Sequence, residues 1–146
     1  MQKHEYYMRV ALDEAKLAAN EGEIPVGAIL VCDNKIIAKA HNETEKLNDV
    51  TAHAEMLAVT MGAAKQGGKY LNNCTLYVTL EPCTMCAGAL AWAQLGMLVI
   101  GASDTHRGCL RLSPSVLHPK TEIITDILSE ECSNIVKSFF QTRRKR

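Results

Sequence analysis

Residues 74–90 read CTLYVTLEPCTMCAGAL. The first seven have the β-branched and aromatic content of a buried strand. Pro82 stands where a proline can open a helix at its first turn, and the residues behind it predict a helix running to about Leu95. A strand that feeds directly into a helix predicts an α/β arrangement, and such a corner is a natural place for a site. Cys83 and Cys86 then stand at i and i+3 on one face of that first turn, where the helix dipole and free N–H groups favour thiolates. Such a pair can chelate one metal ion. A cytosolic Cys-x-x-Cys at a strand-to-helix corner also fits a thioredoxin-like redox motif, so this stretch alone leaves metal and redox chemistry both open.

Outward from the corner, MLVIGAS (97–103) is a further apolar strand and TEIIT (121–125) a short fifth. On the N-terminal side, residues 6–20 carry Tyr7, Ala11, Ala15 and Ala18 at helical spacing, with Gly22 closing the helix. VGAILVC (26–32) and KIIAKA (35–40) read as two strands around a hairpin turn at Asp33-Asn34. Residues 52–65 are rich in helix formers and end in Gln66-Gly67-Gly68. A last helix follows from Cys132, Ile135, Val136, Phe139 and Phe140 at i, i+3, i+4, i+7 and i+8, with Ser129 as its N-cap. The order α, β, β, α, β, α, β, β, α implies a central sheet covered by helices, with parallel pairing wherever a helix crosses between strands.

At 146 residues the chain has the size of one domain, and residues 1–146 are read as such. It carries 16 basic and 16 acidic residues, so no global field drives it onto nucleic acid or membrane, and a polyanion must be met by a local patch. The run TRRKR (142–146) is one such patch or else a solvated helix end. The start MQKHEYYMRV lacks the apolar core of a signal peptide, and no run approaches the roughly 18 apolar residues of a spanning helix. A cytoplasmic protein is expected. In that reducing compartment the six cysteines are expected as buried hydrophobes, metal ligands or catalysts, not as a disulfide framework.

A third donor decides between metal and redox chemistry. TAHAEM (51–56) offers the imidazole of His53, and Cys2His is a catalytic zinc set that leaves a fourth position for water. A lone histidine at a helix start is usually structural, but the cysteine pair and the neighbour Glu55 count against that here. Glu55 lies about 200° from His53 around an ideal helix, so the two serve one site only at a frayed helix start. The small Ala54 between them would leave room for a flat substrate. His4, His41 and His118 lack nearby cysteine partners, and Cys32, Cys74, Cys109 and Cys132 lack ligand spacing; none is assigned chemistry.

H-A-E followed thirty residues later by P-C-x-x-C resembles the zinc-dependent cytidine deaminase superfamily. The wider set EIPVGAILV, AHN, TAHAEM, TLYVTLEPCTMCAGAL and VIGASD, with a closing helix bearing SFF and basic residues, is similar to bacterial tRNA-specific adenosine deaminases over nearly the whole chain. The resemblance implies a three-layer α/β/α sandwich with a mixed five-stranded sheet, cytidine deaminase-like, in a cytoplasmic homodimer. It implies Zn2+ on His53, Cys83 and Cys86, with Glu55 as general acid and base. The implied substrate is the wobble adenosine of a tRNA anticodon stem-loop, flipped into the site and converted to inosine without an organic cofactor. Asn42, otherwise an ordinary turn residue, would hold the target nucleoside, and Asp104 would stand beside it.

The same zinc chemistry on a free base, nucleoside or nucleotide, such as guanine, cytidine or deoxycytidylate, is the alternative within this class. Outside it stand a redox protein using Cys83 and Cys86, and a binding module whose structural zinc would need a fourth protein ligand. One stretch departs from the resemblance: THRGCLRLSPSVLHPKTE (105–122) replaces a glycine-rich segment with one richer in cations. His106, Arg107, Arg111 and Lys120 are read there either as phosphate contacts or as plain surface charges. Phe139 and Phe140 are read as helix packing in preference to base stacking.

Overall fold

The computed structural model describes residues 2–144; Lys145 and Arg146, the end of the basic run, lie outside the described residues. The elements are α1 (Gln2–Asn20), β1 (Gly27–Cys32), β2 (Lys35–His41), α2 (Ala54–Gln66), β3 (Cys74–Leu80), α3 (Thr84–Trp92), β4 (Met97–Ala102), β5 (Glu122–Ile124) and α4 (Ser129–Arg144), with a 3₁₀ turn at Cys109–Arg111. The strands form one sheet in the order β2-β1-β3-β4-β5. β1 pairs antiparallel with both β2 and β3, whereas β3–β4 and β4–β5 are parallel, so the sheet is mixed as expected.

Strand alternation sorts the core into two layers. Ile29, Val31, Tyr77 and Val99 face α1 and α4, packing with Tyr7, Met8, Ala11 and Cys132. Leu30, Leu76, Val78, Leu98 and Ile100 face the other way, onto Ala54, Ala58, Ala87 and Leu90 of α2 and α3. All six residues of β1 are buried, as a strand covered on both faces requires. The edge strand β2 exposes Lys35 and Lys39, the usual protection of an unpaired edge. Asp33 and Asn34 have φ of 52° and 61°, the left-handed pair that closes a two-residue hairpin.

Both site-bearing helices begin later than the sequence suggests. α2 starts at Ala54 with His53 as its extended N-cap, and the Leu57 N–H donates to the His53 carbonyl at 3.0 Å. α3 starts at Thr84, with Cys83 as an extended N-cap whose carbonyl accepts from Ala87 at 2.9 Å. Pro82 therefore precedes the helix instead of opening it. α3 also ends at Trp92, not Leu95, because Gln94 turns to φ 56°; Leu95 is apolar because it is buried beyond the helix end. In α4, Ser129 is the first helical residue and the Leu128 carbonyl accepts from the Cys132 N–H, so Ser129 is not the cap. The apolar stripe of α4 is only partly covered: Phe140 is exposed, its neighbour Phe139 half-buried under the Arg143 guanidinium. Arg143 also donates to the Gly22 carbonyl, tying α4 to the end of α1.

One cysteine expectation is overturned. Cys32 and Cys74 are register partners at the facing ends of β1 and β3, with Cα atoms 4.5 Å apart, and they form a disulfide. Directly opposed antiparallel residues at this separation bring their Cβ atoms within bridging reach. Their separation of 42 residues along the chain hides this pairing from any spacing rule.

Two histidines without assigned chemistry are structural. His4 is 2.7 Å from the Tyr77 hydroxyl. His41 ends β2 with Nδ1 2.9 Å from Glu14 and Nε2 3.1 Å from Glu21. Partial burial lowers its pKa, but hydrogen bonds to the two carboxylates outweigh burial and raise it. The clamp fixes the strand end that leads into Asn42.

Gly27 lets α1 lie against β1: a Cβ there would stand 1.9 Å from the Ala11 carbonyl oxygen and 2.7 Å from the Ala15 nitrogen. Gly27→Ala should lower the free energy of unfolding by about 1–3 kcal/mol, read from urea denaturation. For the disulfide, the unfolded chain should present four reactive thiols without reductant and six after reduction. Six in both samples would refute the pairing.

Candidate metal centre and active-site pocket

The C-terminal end of β3 and the start of α2 bring His53, Cys83 and Cys86 together, with their donor atoms all within 4.8 Å of one another. His53 Nδ1 lies 3.7 Å from Cys83 Sγ and 3.5 Å from Cys86 Sγ. A tetrahedral zinc with Zn–S near 2.3 Å and Zn–N near 2.0 Å requires N···S edges of ~3.5 Å. The three residues thus fit such an ion in both donor chemistry and spacing. Among the described residues no fourth His, Cys, Asp or Glu joins the cluster, which is the pattern of an open site and not of a closed structural one.

The N-cap positions explain how His53 and Glu55 share this site. His53 is extended (φ −74°, ψ 152°), so the 200° separation of an ideal helix does not apply, and Glu55 sits in the first turn behind it. Glu55 is buried, and loss of hydration is the main cause that raises its pKa to about 7, against the opposing pull of a backbone hydrogen bond and the His53 charge. The sulfurs are polarised unequally. A hydrogen bond from Cys86, then one from His53, holds Cys83 far below an ordinary thiol, while the same bond and burial push Cys86 up. The interaction with Cys83 raises His53, partly offset by burial.

A cavity of about 290 Å³ opens over these groups. It is lined by His53, Ala54 and Glu55 together with Asn42, Thr44, Asp104 and Arg107. Ala54, which lines it between His53 and Glu55, is fully buried and its methyl takes up little of the space. Asn42 is buried and its Oδ1 has no hydrogen-bond partner among the described residues. An orphaned buried acceptor facing a cavity is the signature of a group kept for a ligand donor. Asp104 turns its own carboxylate onto its loop, accepting the N–H groups of His106 at 3.1 Å and Arg107 at 3.0 Å. Of the four cationic residues proposed for residues 105–122, only Arg107 lines the cavity; His106 and Arg111 point to solvent and Lys120 lies on the exposed loop before β5.

Two buried carboxylates escaped the sequence reading. Glu23 accepts the N–H groups of Glu45 at 3.0 Å and Lys46 at 2.8 Å, holding the loop behind Asn42 and Thr44. Glu81, just before the Pro-Cys of the metal corner, accepts from Asp104 at 3.1 Å and Leu110 at 2.9 Å. An isolated glutamate carries no pattern of its own; the only available hint was its apolar surroundings in TLEPC.

A buried carboxylate beside an open His-Cys-Cys centre that borders a cavity is the arrangement of a zinc-type deaminase. The chain belongs to this family: residues 1–102 match the cytidine and deoxycytidylate deaminase zinc-binding region. It is 40% identical to a tRNA-specific adenosine deaminase of Bacillus subtilis (strain 168) over 100% of this chain and 94% of that protein. A solved structure described as A-to-I editing by tRNA:A34 deaminases at the wobble position of transfer RNA superposes with a TM-score of 0.84 and 38% identity, covering 89% of this chain and 98% of the other. A Bacillus subtilis guanine deaminase is also 38% identical, but that likeness covers 70% of this chain and 66% of the other, with a TM-score of 0.67.

Asn42→Leu removes the unpartnered acceptor without leaving a hole. It should keep or slightly raise the free energy of unfolding read from urea denaturation, by up to about 1 kcal/mol, while activity falls. A clear loss of stability would mean instead that Asn42 serves the fold.

Proposed function

We propose that this protein is a zinc-dependent hydrolase that converts adenosine to inosine at the wobble position of a tRNA. The observation that carries the reading is the open His53-Cys83-Cys86 cluster with Glu55 buried beside it, in a chain that follows tRNA-specific adenosine deaminases from end to end. His53, Cys83 and Cys86 would hold Zn2+, which supplies Lewis-acid activation of water at neutral pH. Glu55 is the general acid and base. It takes the two protons of the attacking water in turn, the first as oxygen bonds to the ring carbon bearing the amine, and passes one to the ring nitrogen and one to the departing ammonia. Adenosine and water thus become inosine and ammonia. Asn42 orients the nucleoside through its free amide oxygen, and Asp104 lines the same cavity.

The protein acts on the anticodon stem-loop as one catalytic domain over residues 1–146, as a homodimer in the cytoplasm. In support of a second copy, Met61 of α2 and Met85 and Trp92 of α3 are exposed on one layer of the sandwich, with Trp92 86% accessible. No helix of the described residues is long and apolar enough to cross a membrane.

The purified protein should contain about one zinc per chain by plasma emission spectrometry, and His53→Ala or Cys86→Ala should remove most of it. With an anticodon stem-loop bearing a wobble adenosine, nucleoside mass spectrometry should detect inosine, and Glu55→Ala should slow its formation by about 10²–10⁴-fold. Zinc with no inosine from an intact stem-loop, but ammonia released from guanine or cytidine, would move the substrate to a free base or nucleoside.

A further inference from the structure

A buried carboxylate with no cation beside it has to be explained by what it binds, and Glu81 binds a loop. Its Oε1 accepts the Asp104 N–H and its Oε2 the Leu110 N–H, while its own N–H donates to the Ala102 carbonyl at 2.8 Å. Next to it the Cys109 N–H donates to the Pro82 carbonyl at 2.9 Å, and Cys83 bridges to Gly108. The loop 104–110 is therefore hung directly from the corner that carries the metal cysteines. Gly108 belongs to the same clasp, since a Cβ there would stand 1.9 Å from Glu81 Oε2. Asp104, fixed at its N–H by Glu81, accepts the main-chain N–H of Arg107 on its carboxylate, which holds the turn from which the exposed Arg107 side chain projects. Among the described residues, Arg107 is the one arginine or lysine lining a cavity that also holds Glu55, Glu81 and Asp104, and it makes no ion pair. A free neutral base or nucleoside brings no anion to such a cation; a nucleotide phosphate does, and a polynucleotide supplies one on either side of the reacting base.

We propose that Glu81 is a positioning residue which, through Asp104, presents Arg107 to a backbone phosphate flanking the reacting nucleotide, and so makes the pocket select a polynucleotide over a free nucleoside. This rests on the reading of the site as an RNA deaminase.

The test uses the zinc-loaded protein and a labelled anticodon stem-loop, with binding followed by fluorescence anisotropy from low to high salt and inosine formation followed in parallel. Arg107→Ala and Glu81→Gln should each weaken binding and raise KM about tenfold, with kcat changed less than twofold and zinc retained. Each should also reduce the slope of log Kd against log salt by about one. The double variant should be no worse than either single one, because both remove the same phosphate contact. Gly108→Ala, which presses on the same carboxylate from the loop side, should reproduce Glu81→Gln and serves if that variant does not fold. Additive losses, an unchanged salt slope, or a Glu81→Gln variant that loses zinc or kcat would overturn the proposal. Absence of inosine from the unsubstituted protein would refute the deamination reading alone, because the binding arm reports on the clasp without turnover.

Discussion

Everything at this site depends on two helix N-caps meeting. His53 caps α2 and Cys83 caps α3, both in extended backbone, and Cys86 follows one turn into α3. A cap residue is free of the helical spiral, so its side chain can aim across the helix end instead of along a face. Both helix starts also carry partial positive charge, which favours thiolate at Cys83 and negative charge near Glu55. The requirement is that α2 and α3 stand on the same face of the sheet with their starts adjacent. The shared core of Ala54, Ala58, Ala87 and Leu90 against Leu76, Val78 and Ile100 supplies that placement. The metal donors are thus aligned by apolar packing that begins at their immediate neighbours, Ala54 beside His53 and Ala87 beside Cys86.

Much of this was legible because periodicity and turn chemistry are local. The strand pattern of residues 74–80, the Asp33-Asn34 turn and the Cys-x-x-Cys spacing each depend on neighbours in the chain, and each appears where it was read. What was hidden depends on partners far away. Cys32 and Cys74 pair because β1 and β3 are neighbours, a fact of sheet order that neither segment contains. Glu23 and Glu81 work through backbone N–H groups of remote loops, and a main-chain donor leaves no mark on the sequence. The starts of α2 and α3 lie later than the sequence suggests because Ala52 is a helix former and Pro82 suits a first turn, while neither true cap, His53 nor Cys83, makes a side-chain cap bond that would mark it. Phe140 matched the helical stripe yet stays exposed, since periodicity identifies an apolar face without saying how much of it is covered.

The walls of the pocket share one construction. On each side a glutamate removed from water accepts a pair of main-chain N–H groups, Glu23 for the Thr44 side and Glu81 for the Asp104 side. Charge-assisted bonds of this kind are about twice as strong as neutral ones, which compensates the burial of the carboxylate. The loops are held mainly by their backbones, with the Thr44 hydroxyl also donating to Glu23 at 3.4 Å, which leaves the side chains of Asn42 and Arg107 to face the cavity. Rigidity and recognition are thereby assigned to different atoms of the same segments.

The Cys32–Cys74 bridge turns the intervening chain into a closed ring, and that ring contains β2, Asn42, His53, Glu55 and the whole of α2. Cys83 and Cys86 lie outside it. A protease that cuts once between residues 33 and 73 would therefore open the ring without dividing the molecule. Both pieces would migrate together until the bridge was reduced, still carrying the two halves of the donor set on one covalent framework.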